Sequence, residues 1–216
     1  MAVETRSSSP ATLERSRSII GRIDRFDAWS LPYYAIVIIG IGYLFTFYDI
    51  FDINVSWIQT CVEIKKGCTP QNAGASITNP ILINLLAYIV GALAFSPLAD
   101  RFGRRNMLIF TMALTGLGSL WTGLVHDYNS FIAARGLTGI GIGADLAIVN
   151  TYVGEMAPRS GRAKWLSFIF FMSALGAALG VWLGLILTTP SAPFPHGFPY
   201  TINTLDGWRI MYFVGA

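Results

Sequence analysis

The sequence predicts an all-α membrane protein, a bundle of helices that cross the bilayer, on three observations. Apolar residues make up 53% of the 216 and charged residues 12%, with a mean hydropathy of +0.53, outside the usual range of soluble domains. Apolar runs of roughly 20 residues, enough to cross a bilayer core as a helix, recur along the chain. The runs are continuous rather than alternating in polarity, which argues against the strands of a closed barrel.

Residues 1–30 come first, polar and rich in Ser and Arg. They hold no apolar stretch followed by a small-residue cleavage site, so no cleavable signal peptide is expected. Ile19, Ile20, Ile23 and Phe26 fall at helical spacing among Arg15, Arg17, Arg22 and Arg25. That pattern suits either an amphipathic helix on the cytoplasmic membrane surface or a disordered basic tail. Five complete spans follow, at 31–56, 80–99, 106–125, 130–156 and 165–188, and a sixth opens at Trp208 and runs to Ala216.

Lys and Arg near span ends are retained on the cytoplasmic side. Arg6, Arg15, Arg17, Arg22 and Arg25 in the tail share one side with Arg101, Arg104 and Arg105 after the second span and with Arg159, Arg162 and Lys164 after the fourth. Lys65 and Lys66 stand on the other side. The N-terminus of this multi-pass protein is therefore expected in the cytoplasm, with the cell membrane as its location. Both cysteines, in "CVEIKKGC", then fall in the external loop after the first span, where Cys61 and Cys68 are either bridged or two free thiols. The second long external segment, "TTPSAPFPHGFPYTINTLDG", is full of Pro and Gly and reads as irregular. Its His196, like His126 after the third span, has no metal-ligand partner at a recognised spacing, so no metal or cofactor is expected. With no Ser/His/Asp set either, an enzyme is disfavoured.

Charge is concentrated in "SPLADRFGRRNMLIF", between the second and third spans. Gly103 permits a tight turn there, and Asp100 beside several guanidiniums can form charge-assisted contacts that lock neighbouring helices. The pattern D-R-x-G-R-R, carried by Asp100, Arg101, Gly103, Arg104 and Arg105, resembles the signature of the major facilitator superfamily of transporters. "YVGEMAPRSGR", on the same membrane face, is similar to the E-x-x-P-x-x-x-R element of sugar porters, with Glu155, Pro158 and Arg162 in register. The resemblance implies an ionic cluster in which Glu155 pairs with Arg101, Arg104, Arg105 or Arg162 and holds the outward-open state.

In the fourth span, "RGLTGIGIGADLAIVN" places Gly139, Gly141 and Gly143 between Arg135 and Asp145. With no preceding strand, the glycines mean close helix packing rather than a phosphate-cradling loop. Gly176, Gly180 and Gly184 form a second small-residue series in the fifth span. Arg followed ten residues later by Asp through GIGIGAD resembles proton-coupled phosphate transporters and related metabolite–proton symporters. Those families usually carry a second glycine where Ala144 stands and an aromatic where Leu146 stands, and the turn signature of the superfamily usually has a glycine where Ser96 stands. The fifth span lacks both the G-P pair of drug antiporters and the glutamine common in sugar porters.

Ionisable residues within spans cost roughly 2.5–3.5 kcal/mol each on insertion scales, so they default to functional candidates. Four qualify: Asp49, Asp52, Arg135 and Asp145. Asp49 and Asp52 are three apart and share a face of the first helix. With that helix ending near Ser56, Asp49 lies about 10 Å in, Arg135 about 8 Å in, and Asp145 about 15 Å further along the fourth helix. This level, near the bilayer middle, is where repeat-built carriers bind substrate. Asp49 is read as the proton acceptor, Arg135 as its electrostatic partner, and Asp145 as a second titrating or substrate-contacting carboxylate. Burial favours the neutral form of a carboxylate and a nearby guanidinium the charged form, so protonation can couple to separation of the pair. A static ion pair is the alternative, and Asp52 either joins the site or reaches the outer headgroups.

The resemblance implies the N-terminal six-helix half of a major facilitator superfamily fold, with five complete spans plus the start of the sixth. It implies a secondary transporter working by alternating access, a proton-coupled symporter of a small organic or inorganic anion. Protons, a small-molecule substrate, membrane lipids and a C-terminal half are the implied partners. A facilitative uniporter, a sugar porter and a non-transporting nutrient sensor on the same scaffold remain as alternatives.

Overall fold

The structure is a computed structural model, and it describes residues 33–157, 161–188, 201–202 and 205–216. The N-terminal tail with its arginines, Pro158, Arg159 and His196 lie outside the described residues. Chain order runs α1 (Tyr33–Ile64), α2 (Ala73–Ser76), α3 (Thr78–Phe102), α4 (Arg104–Leu124), α5 (Tyr128–Met156), α6 (Arg162–Thr188), β1 (Thr201–Ile202), β2 (Leu205–Asp206) and α7 (Gly207–Gly215). Five of these helices are long and apolar enough to cross a membrane.

α1 departs most from the sequence-based boundaries. It continues two turns beyond Ser56 to Ile64, so Cys61 sits on the helix rather than in a loop. The extra turns hold Trp57 and Cys61, both buried, and end at the polar run Glu63 to Lys66. A disulfide joins Cys61 to Cys68, with Cα atoms 5.8 Å apart. Just before α7, Thr201 pairs with Asp206 and Ile202 with Leu205 in a two-stranded antiparallel ladder, and the rest of that Pro- and Gly-rich segment lies outside the described residues.

Turn chemistry sets two of the boundaries. Gly103 takes φ +88°, a conformation open to glycine at little cost, and so ends α3 one residue before α4 begins. At the opposite end of α4, Asp127 caps α5, accepting the Ser130 amide at 2.9 Å and its hydroxyl at 2.7 Å.

α5 is the central helix: 61% of its most apolar window is buried, against 11% for the Ala73–Phe102 span. It packs on α3 and α4, α1 packs on α6, and α7 lies against α4, α1 and α6. Two apolar clusters form the core. One gathers Ile39, Tyr43, Leu108, Ile148, Val153 and Ile169 toward the charged turn, the other Ile53, Trp57, Phe131, Trp208 and Tyr212 toward the disulfide. Between them lie the polar and ionisable Thr46, Asp49, Asp52, Arg135 and Asp145, together with the buried Tyr48, Ile142, Ala144 and Met211.

Candidate functional site

Glycines bring the helices of that middle layer together. On α5, Gly139 faces Asn84 and Ala87, and Gly143 faces the backbone of Tyr88, so both open toward α3. Gly141 faces Thr115 and the Thr111 carbonyl on α4. The alternating glycines of GIGIG thus admit two neighbours on two faces at once. On α6, Gly176, Gly180 and Gly184 face Leu44, Tyr48 and Val55 of α1.

Asp49, Asp52, Arg135 and Asp145 are all fully buried in this layer. Arg135 donates from Nη2 to the Asp49 carbonyl at 3.0 Å and to Asp52 Oδ1 at 3.4 Å. The ion pair is therefore with Asp52, and the expected carboxylate partner, Asp49, offers its backbone instead. The Asp49 carboxylate accepts from the Ser119 hydroxyl of α4 at 2.6 Å, and its other oxygen lies beside Gly215 of α7. Asp52 is fully buried and pairs with α5 rather than reaching a surface. Asp145 accepts from the Thr46 hydroxyl of α1 at 2.8 Å.

The estimate of matching depth needs a different basis, because α1 extends to Ile64. Asp49 lies about 22 Å along the axis from that end, and Arg135 about 10 Å from the start of α5. The direct contacts hold them level, and α1 projects past α5 by the difference.

Each of the three carboxylates has one oxygen held and one buried oxygen without a hydrogen-bond partner among the described residues: Asp49 Oδ1, Asp52 Oδ2 and Asp145 Oδ1. Arg135 Nε and Nη1 are likewise unpartnered, but the guanidinium lies 5.3 Å from the ring centroid of Tyr212. That ring face attracts a desolvated cation. Tyr212, in turn, shares a 2.9 Å hydrogen bond with Ser56 of α1.

Sequence reasoning missed Tyr212, Ser119 and Thr46, since a lone hydroxyl or ring in an apolar run carries no signal of its partner. It also missed a cluster at the disulfide end of the bundle. Arg209 donates to Glu63 at 2.8 Å and to the Gly123 carbonyl at 3.0 Å, and Trp208 donates to Glu63 at 2.5 Å. Asp206 stands 3.5 Å from Arg209, and burial followed by the neighbouring Glu63 carboxylate raises its carboxyl above the ordinary value.

At the opposite end, Arg104 bridges Asp100 at 3.1 Å and also ion-pairs with Glu155, tying α3, α4 and α5 together. Arg101 lies against the Phe102 ring, and Arg105 and Arg162 have no ion-pair partner among the described residues.

Comparison with known proteins identifies the architecture. Residues 34–216 match the family model described as sugar (and other) transporter. An inorganic phosphate transporter, 1-2, of Oryza sativa subsp. japonica is 28% identical over 195 residues, covering 84% of this chain and 36% of the relative. Synaptic vesicle glycoprotein 2A of Rattus norvegicus is 29% identical over 147 residues, covering 65% of this chain and 19% of the relative. The crystal structure of a D-xylose–proton symporter superposes with a TM-score of 0.65 at 22% identity, over 84% of this chain and 44% of the symporter. The chain thus spans between a fifth and a little over a third of the length of these curated relatives, and under half of the solved structure. It is an integral multi-pass membrane protein that belongs to the sugar (and other) transporter family and has the fold of the N-terminal half of a major facilitator superfamily transporter.

Proposed function

We propose that this chain forms the N-terminal half of a proton-coupled secondary transporter that carries a small anion across the cell membrane by alternating access, with its N-terminus in the cytoplasm. The observation that carries the reading is the buried layer in which Arg135 pairs with Asp52 beside Asp49 and Asp145. Buried charge in a bundle core is costly and destabilising compared with apolar packing, which favours a role in transport over one in stability. An unpartnered carboxylate oxygen is where a proton adds; once Asp52 is neutral, its Coulomb attraction to Arg135 is lost and the helices are free to shift.

Asp100, Arg104 and Glu155 fit the role of a cytoplasmic gate, because one guanidinium joins three helices in one conformation. Arg101, Arg105 and Arg162 would then serve as cytoplasmic anchors. An anion is favoured by Arg135, whose Nε and Nη1 have no hydrogen-bond partners among the described residues, and by likeness to a phosphate transporter. A sugar is the second reading, supported by the family's description and by the fold shared with a D-xylose–proton symporter.

The test is uptake of phosphate, organic acids, D-glucose and D-xylose into proteoliposomes holding the protein, with and without an inward proton gradient. Gradient-stimulated uptake of phosphate or an acid supports the proposal, and stimulated sugar uptake moves the substrate to the second reading. Uptake indifferent to the gradient, and unchanged in Asp49→Asn, points to a uniporter.

A further inference from the structure

We propose that the polar face of α1, made of Thr46, Asp49, Asp52, Ser56, Thr60 and Glu63, is a proton-access path from the outer surface to Asp145, running inside the six-helix unit. It rests on the proton-coupled reading above, and on the orientation that puts Glu63 outside.

Intervals of three, three, four, four and three place one polar side chain on every turn of one face. Seventeen residues separate Thr46 from Glu63, about 26 Å along the axis. The five inner members are each no more than 4% exposed, whereas the Glu63 side chain is 37% exposed and forms a mouth. A helix face buried in a membrane bundle has no packing need for polar groups at every turn, and each one costs free energy unless bonded.

Local bonding accounts for part of the row: Thr60 donates to the Ser56 carbonyl, and Thr46 to the Gly42 carbonyl. The lateral contacts go further, and each joins one member other than Thr60 to a neighbouring helix. Glu63 meets Arg209 and Trp208, Ser56 meets the Tyr212 hydroxyl, Asp52 meets Arg135, and Asp49 meets Ser119. The row ends in the bond from Thr46 to Asp145. The other titratable groups that bear on it are Asp206 beside Glu63, and Tyr48 and Tyr88 near Asp49 and Asp52. Asp49 and Asp52 on the row, and Asp145 at its inner end, each have one buried oxygen without a hydrogen-bond partner among the described residues.

The transfer balances as follows. A proton from external water adds to the Glu63 carboxylate. It moves inward through the hydroxyls of Thr60 and Ser56, each accepting one proton on a lone pair as it releases its own. Neighbouring turns lie about 5–6 Å apart, so the path requires a bridging water across each gap. It then adds to Asp52 or Asp49 and passes through the Thr46 hydroxyl to Asp145. Only O–H bonds form and break, and one positive charge enters.

The test follows the carboxyl C=O infrared band of the purified protein in proteoliposomes after a sudden drop in external pH, with Asp49→Asn and Asp145→Asn assigning the band. Thr60→Val keeps shape and removes the hydroxyl, and Ser56→Ala breaks a second link independently. Each is expected to slow protonation by about tenfold or more with the same final absorbance, while Thr60→Ser and the cytoplasmic-end variant Thr151→Val keep the original rate. Unchanged rates in both Thr60→Val and Ser56→Ala overturn the path, as do equal rates for external and internal pH drops in the unaltered protein. If no carboxyl band titrates in the unaltered protein, the proton-coupled reading itself fails, a result distinct from a band that titrates at unaltered speed.

Discussion

Arg135 shows how one side chain can be held by three kinds of contact: a carboxylate of Asp52, a backbone carbonyl of Asp49 and the ring face of Tyr212. Removing the cation leaves the Asp52 carboxylate buried and uncompensated, so Arg135→Leu should lower stability by about 3–5 kcal/mol. Thermal unfolding in detergent micelles checks this, and the double variant Asp52→Asn/Arg135→Leu should regain much of the loss because no charge is then stranded. The four ionisable residues were legible in the sequence because charge inside an apolar run is conspicuous. Their pairing was not: Asp49 and Asp52 differ by about 60° around the helix, an angle that hydropathy cannot resolve. Tyr212 and Ser119 were hidden for the same reason, since what matters is which helix they face.

Among the elements, the glycine-bearing helices separate close packing from mere tolerance. A Cβ at Gly143 would collide with the Tyr88 backbone, whereas one at Gly154 would meet nothing within 4 Å. Gly143→Ala should therefore impair folding, while Gly154→Ala should stabilise α5 by about 0.5–1 kcal/mol through lower backbone entropy in the unfolded chain. Melting temperatures of the two variants test the contrast directly. The start of α5 carries a pH-dependent cap: the Ser130 amide and hydroxyl hold the Asp127 carboxyl below its ordinary 3.8. A depressed carboxyl stabilises the fold above its ordinary value, and the contribution is lost as pH falls through the lower folded value. Faster amide exchange at Ser130 and Phe131 is expected both on such acidification and in Asp127→Ala at neutral pH. Hydropathy revealed the helices themselves but stopped α1 at Ser56, because the following turns mix Trp57 and Cys61 with polar residues. Those turns stay helical by packing on α2, α7 and the disulfide, contacts distant in sequence or covalent.

For the whole molecule, the charged turn is expected to contribute little to stability, and in the proposed transporter to govern which conformation is occupied. Arg104 and Glu155 are partly exposed, and exposed ion pairs are worth roughly 0–1 kcal/mol. Glu155→Gln should leave the melting temperature nearly unchanged while raising the labelling of a cysteine placed at the Met156 end of α5, a sign that the helix ends have parted. A large loss of stability would make the cluster a structural brace instead. The fold class was legible at this scale because the bilayer constrains it so strongly: twenty-residue apolar runs leave few other architectures. How the polar layer lies between two apolar clusters was not, as it depends on the order in which six helices pack.

The disulfide at the end of α1 bears on how the protein is made. Cys61 and Cys68 are seven residues apart and need nothing later in the chain to meet, so the bridge can close during synthesis, once that segment reaches an oxidising compartment. A host whose corresponding compartment is reducing would deliver a chain with that clasp open, about 2 kcal/mol less constrained by loop entropy. The last turn of α1 would then be free to fray, and with it the placement of Glu63. For this protein, the choice of expression host thus amounts to a choice of how well this end of α1 is assembled.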